Sequence, residues 1–260
     1  MPHPSDATLK SITMDSEGLE SWDYCLSHFR QRGLVWQPGN ITYFMRQIFS
    51  DVTFGGSRVL DIGGGAGLAS YYAACMGAES VLCLEPGASG SNACATGVPF
   101  FDPSQDRLSR VRFSKMTLQE YLTSPPNHFE LVITLASINH LDEPACIAMN
   151  TPAGRDIYLG LLGGVRGLMK PGGQLVVMDC FRWNALEFFG FPHPLRKQIE
   201  REKHWQPATW VELIEQCGFK MESLRYLSLN SLREPGSWLM NNWLAAICGS
   251  GDFCIRFRVR

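Results

Sequence analysis

Short apolar runs alternate along this chain with stretches of helical periodicity. Val59–Ile62, Ser80–Leu84, Phe129–Leu135 and Gln174–Met178 read as buried strands. Arg110–Phe113 and Lys220–Leu229 read as two more, and Phe253–Val259 as a seventh. In that last run Phe253, Ile255, Phe257 and Val259 alternate with Cys254, Arg256 and Arg258, which suits an edge strand with one wetter face. Helical spacing marks Ser16–Arg32, with Leu19, Trp22, Leu26 and Phe29 on one face and Tyr24 beside it, and then Ile41–Phe49. It returns in Leu68–Met76, in Arg155–Met169 (Ile157, Leu161, Leu162, Val165, Leu168), in Pro207–Cys217 and in Trp238–Ile247. Lys170-Pro171-Gly172-Gly173 is read as the stop between the Arg155 helix and the strand after it. Strands alternating with helices predict an α/β fold. Residues 1–52 form an N-terminal helical segment, expected either to cap a ligand crevice or to pack as core, and 53–260 form the main domain.

Composition narrows the class. The chain has 260 residues, enough for one large α/β domain, with 45% hydrophobic and 18% charged residues, which are globular values. A net charge of −2 argues against an electrostatic nucleic-acid binder. No apolar run approaches bilayer length and Met1–Lys10 lacks a signal-peptide core, so a cytoplasmic protein with no membrane partner is expected. The nine cysteines include no Cys-x-x-Cys pair; they read as reduced, buried thiols, and no metal site is expected.

The candidate chemistry starts at Asp61-Ile62-Gly63-Gly64-Gly65-Ala66-Gly67, between a strand and a helix. Glycines without a Cβ let backbone approach a ligand closely. A dinucleotide fingerprint wants its third glycine at position 68, which is leucine, and Asp61 would repel a pyrophosphate. A ligand with cationic groups and no phosphate fits better. The stretch resembles the Asp-x-Gly-x-Gly-x-Gly motif of class I S-adenosylmethionine-dependent methyltransferases, with Asp61, Gly63, Gly65 and Gly67 as its positions. Glu85, 24 residues after Asp61 at the end of the next strand, stands where a ribose diol would be hydrogen-bonded, with Pro86 beside it. The Lys-Pro-Gly-Gly turn matches the same family. The resemblance implies a Rossmann-like, seven-stranded, mostly parallel sheet with helices on both faces and the last strand inserted antiparallel beside the sixth. It also implies cofactor contacts near Met116 and Thr117, and at Thr134 and Leu135. Many family members carry Asp near Thr117 for the adenine amino group; here the residue departs, which leaves the adenine contact to the Thr117 hydroxyl or nearby backbone. The Asn/Asp-Pro-Pro-aromatic motif of amino-methylating nucleic-acid enzymes is absent, as is the acidic strand-end cluster of a magnesium-dependent catechol-type enzyme.

The resemblance thus implies S-adenosylmethionine as cofactor and in-line transfer of its methyl group to a small-molecule acceptor, first of all at oxygen. Hydroxyl methylation needs a base. His140, after the fourth strand, is the first candidate, and His204 the second. Asn139, Arg182, Asn184, Lys203 and Trp205 are candidate acceptor contacts, the last two in an aromatic and basic insertion at 185–206 read as a lid. A catalytically silent methyltransferase-like scaffold and an NAD-dependent oxidoreductase stay open as alternatives, and so does a homodimer.

Overall fold

The structure is a computed structural model that describes residues 14–35, 37–87, 106–123, 128–182, 200–228, 242–248 and 251–260. Helix α1 (Ser16–Gln31) starts where the Asp15 side chain accepts from Gly18 N, and α2 (Pro38–Phe49) opens on proline. The following elements are β1 (Arg58–Ile62), α3 (Leu68–Cys75), β2 (Ser80–Leu84), α4 (Asp106–Ser109), β3 (Val111–Ser114), α5 (Leu118–Leu122) and β4 (Phe129–Leu135). A 3-10 turn at Ile138–His140 leads to α6 (Glu143–Ile147), α7 (Pro152–Gly167) and β5 (Met169–Cys180). A second 3-10 turn, Arg201–Lys203, precedes α8 (Pro207–Gln216), β6 (Phe219–Tyr226), α9 (Trp243–Cys248) and β7 (Asp252–Val259). Among the described residues no helix is long and apolar enough to cross a membrane.

Seven strands form one sheet in the order β3-β2-β1-β4-β5-β7-β6, parallel except for β7. Alternate strand residues feed two cores. Leu60, Val132, Leu175 and Val177 join one with α7 and α8, while Val59, Leu131, Ile133 and Val176 join the other with α1, α2 and α3. The two N-terminal helices therefore belong to the core of the sheet domain. Trp22 and Phe49 pack on Tyr72 of α3, with ring centres 5.1 and 5.5 Å away. Arg107 fastens α1 from outside the sheet, its Nη2 2.6 Å from Asp15 and 3.1 Å from Glu17.

Three expectations need correction. Strand β7 is interior, antiparallel to both neighbours, and β6 is the edge. Phe253, Ile255 and Phe257 are completely buried, each worth about 1.5–3 kcal/mol of transfer free energy. The wetter face is present, with Arg258 exposed and Arg256 half-buried; both pair with Glu222, and Arg256 reaches Asp51 as well. The Lys-Pro-Gly-Gly segment lies within β5 as an outward irregularity, because the register jumps from Phe129–Met169 to Leu131–Gln174. The helix before it has already stopped at Gly167. Finally, Leu19 and Ile157 are 43% and 46% exposed, and Cys25 and Tyr158 occupy the buried positions instead.

Candidate active site

Asp61 is wholly buried at the end of β1. Ser70 Oγ donates to its Oδ2 at 2.6 Å, and Oδ1 has no partner among the described residues. Burial pushes its carboxyl up from 3.8 to about 6, with Glu85 adding to the rise and Ser70 opposing it. At Gly63, φ is +67° and an added Cβ would stand 2.6 Å from the Cβ of Ser137, so only glycine fits. Ser137 Oγ donates to the Ile62 carbonyl at 2.5 Å, which ties the turn after β4 to the end of β1. Gly65, at φ +55°, differs: an added Cβ meets nothing within 4 Å, so the loop there faces open space.

Glu85 leaves β2 toward that loop. Gly65 N donates to its Oε2 at 2.8 Å and Gly87 N to its Oε1 at 2.9 Å, with Pro86 exposed between them. A carboxylate has further lone pairs for a diol. A buried acid with one oxygen left without a partner among the described residues, a loop open at Gly65 and a strand-end carboxylate fit S-adenosylmethionine, which presents a cation and a ribose but no phosphate. Met116 is half-buried. Thr117 holds α5 by a capping box: its hydroxyl takes the Glu120 N–H while its own N–H goes to Glu120 Oε2. The Thr117 hydroxyl and N–H are thus committed to the helix start. At the end of β4, Thr134 Oγ1 is buried without a partner among the described residues and Leu135 is half-buried.

A second cluster lies past the carboxyl ends of β4 and β5. Ala136 adopts φ +52°, rare for a residue with a Cβ, and bends the chain into the 3-10 turn. Tyr158 of α7 anchors that turn by donating to the Ile138 carbonyl at 2.9 Å. Within it Asn139 is completely buried, with neither amide atom partnered among the described residues. His140 Nδ1 lies 2.7 Å from Glu143 Oε1, and Glu143 Oε2 lies 2.8 Å from Lys203 Nζ. Lys203 and His140 hold the Glu143 carboxyl below its ordinary range, while Glu143 and Glu200 raise the Lys203 ammonium. An ionised carboxylate only accepts, so the ring proton facing Glu143 belongs on Nδ1.

Trp205 Nε1 donates to the Cys146 carbonyl at 2.8 Å, and the Arg182 guanidinium stands 4.7 Å from the centre of its ring. His204 turns Nδ1 to Asp179 Oδ1 at 2.9 Å and Cys180 Sγ at 3.2 Å. The structure therefore brings His140, Lys203, His204, Trp205 and Arg182 into one neighbourhood. Asn184 and residues 185–199 of the insertion lie outside the described residues. Sequence reasoning missed Glu143 and Asp179. The three-residue interval from His140 to Glu143, one turn apart, was the available signal for the first.

This fold is that of the S-adenosylmethionine-dependent methyltransferases. Residues 39–224 match the methyltransferase domain, so the chain belongs to that family. A ubiquinone biosynthesis O-methyltransferase from Dinoroseobacter shibae is 24% identical over 248 residues, covering 88% of this chain and 89% of that protein. The protein of the same name from Cereibacter sphaeroides is 26% identical over 133 residues, 51% of this chain and 45% of its own length. In fold, the chain is similar to an S-adenosylmethionine-dependent methyltransferase from Aquifex aeolicus, with TM-score 0.52, 14% identity and coverage of 87% and 100% of the two chains.

Proposed function

We propose that this enzyme transfers a methyl group from S-adenosylmethionine to an oxygen of a small-molecule acceptor, with His140 as the base. The carrying observation is the 2.7 Å contact between His140 Nδ1 and Glu143, just after β4. It orients the ring and leaves Nε2 to take a hydroxyl proton. The O-methyltransferase names of the relatives support oxygen as the acceptor atom.

Bound S-adenosylmethionine supplies a methyl carbon made electrophilic by its sulfonium leaving group. Asp61, Gly63, Gly65 and Gly67 form the loop that receives the cofactor, and Glu85 with Pro86 holds the ribose. Met116 and the Thr117 methyl border the adenine; Thr134 and Leu135 line the methionine end. Holding donor and acceptor together contributes up to ~7–11 kcal/mol in favourable cases. Asn139, Arg182, Asn184, Lys203 and Trp205 position the acceptor. Lys203 also links the 200–205 segment to the base through Glu143. His204, whose Nδ1 faces Asp179 and Cys180, is the second candidate base.

Transfer of labelled methyl from S-adenosylmethionine to a panel of phenols, catechols, hydroxy acids and matched amines tests this. Label in ether or ester products is the expected result. Label only in the amines would overturn oxygen transfer, and saturable cofactor binding without any transfer would favour the silent scaffold.

A further inference from the structure

We propose that Asp179, Cys180 and His204 form a binding site for one zinc-class divalent cation, with a coordination position left open. Their ligating atoms all lie within 4.8 Å of one another. Successive side chains of a strand ordinarily diverge to opposite faces. Asp179 and Cys180 are the last two residues of β5, yet both reach the same atom, Nδ1 of His204, at 2.9 and 3.2 Å.

That convergence is poorly served by protons. A ring nitrogen holds either one proton or one lone pair. With the proton present, Nδ1 donates to the carboxylate and Sγ accepts only weakly beside it, while the other oxygen of that buried carboxylate still lacks a partner among the described residues. Without it, the thiol can donate, but the nitrogen lone pair then faces a carboxylate oxygen. A dication between the three atoms satisfies them all. A second observation points the same way: Asp179 is wholly buried, and its Oδ2 has no partner among the described residues. Burying an anionic oxygen without a partner is costly, and a metal charge offsets it.

The donor set selects the ion. A thiolate, an imidazole and a carboxylate suit zinc or cobalt, whereas magnesium and calcium prefer oxygen alone. Metal–ligand bonds of about 2.0–2.3 Å give tetrahedral edges of roughly 3.4 Å, so closing the site needs only small side-chain shifts. Three protein ligands leave a fourth position for water or an acceptor oxygen. On binding, the Cys180 thiol proton and any proton on Nδ1 leave to solvent. The His204 side chain keeps 13% of its surface exposed and is the ligand nearest solvent, beside a wholly buried Asp179. A search for paired cysteines misses such a site because its third ligand is 24 residues beyond Cys180.

The test is cobalt(II) titration of the chelator-treated full-length protein, followed by absorption, with zinc as competitor. One equivalent should bind, with a thiolate-to-cobalt charge-transfer band that zinc abolishes. Cys180→Ser should lose that band while keeping the ligand-field bands, and His204→Gln should weaken cobalt binding at least roughly tenfold. S-adenosylmethionine binding serves as the check that each variant is folded, and the optical readout does not depend on methyl transfer. Absence of saturable cobalt binding, or an undiminished charge-transfer band in Cys180→Ser, would overturn the proposal.

Discussion

The two halves of the candidate site are built in different ways. In the half proposed to hold the cofactor, from β1 through Glu85, conformation does most of the selecting. Gly63 permits a close approach to Ser137, Gly65 opens the loop, and two backbone N–H groups orient the Glu85 carboxylate. In the half proposed to hold the acceptor, side chains from separate segments meet. His140 and Glu143 follow β4, Asp179 to Arg182 end β5, and Lys203 to Trp205 arrive some twenty residues later. A backbone cradle needs glycines at fixed local spacing, so it serves one ligand and leaves a contiguous motif. A cluster of side chains can change member by member, which suits the part of an enzyme that chooses its acceptor.

Breaking each half should therefore have separable effects. The largest is expected from His140→Ala, which should lower turnover by roughly 10²–10⁴-fold, the usual range for removing a general base. A steady-state assay of labelled methyl transfer checks this; turnover within twofold of wild type would remove His140 from the role.

Asp61 gives the next effect, on stability. Its folded carboxyl titrates at about 6 against an ordinary 3.8, so the folded state holds the extra proton between those values. The contribution is fully present below about pH 4 and is lost as pH rises through 6. Burying the anion then costs up to about 3 kcal/mol at neutral pH. Asp61→Asn should accordingly make the cofactor-free protein more stable at pH 7 by up to that amount and flatten its stability between pH 4 and 6. Denaturant unfolding at several pH values measures both; an unchanged slope would place the titrating group elsewhere.

The smallest effect sharpens the boundary of the cofactor half. If Thr117 serves the start of α5, Thr117→Ala should cost about 1 kcal/mol, a fall in Tm of roughly 2–4 °C, without a large change in cofactor affinity. A large loss of affinity at unchanged Tm would instead return the Thr117 hydroxyl to the cofactor.

The same contrast explains what could be read in advance. The strands β1, β2 and β4, the glycine loop and Glu85 were legible because buried parallel strands are short apolar runs and the loop is continuous. In β7 the alternation gave the two faces but not the place in the sheet, because an interior strand can also turn one face outward, where Arg256 and Arg258 pair with Glu222. His140, Lys203 and Trp205 could be selected as residues, but their joining through Glu143 and Cys146 depends on segments the sheet brings together. Asp179 could be placed only at the ligand-gathering end of its strand; its contact with His204 emerges where the 200–205 segment meets the end of β5.

The most direct test of the two-part site is calorimetric titration of S-adenosylmethionine into wild type, Glu85→Ala and His140→Ala. Wild type should bind one equivalent. Loss of charge-assisted hydrogen bonds worth ~1.5–3 kcal/mol should weaken Glu85→Ala by roughly 10–100-fold. His140→Ala should bind as wild type does. Wild-type affinity in Glu85→Ala, or equal weakening in both variants, would contradict the division of the site into a cofactor half and an acceptor half.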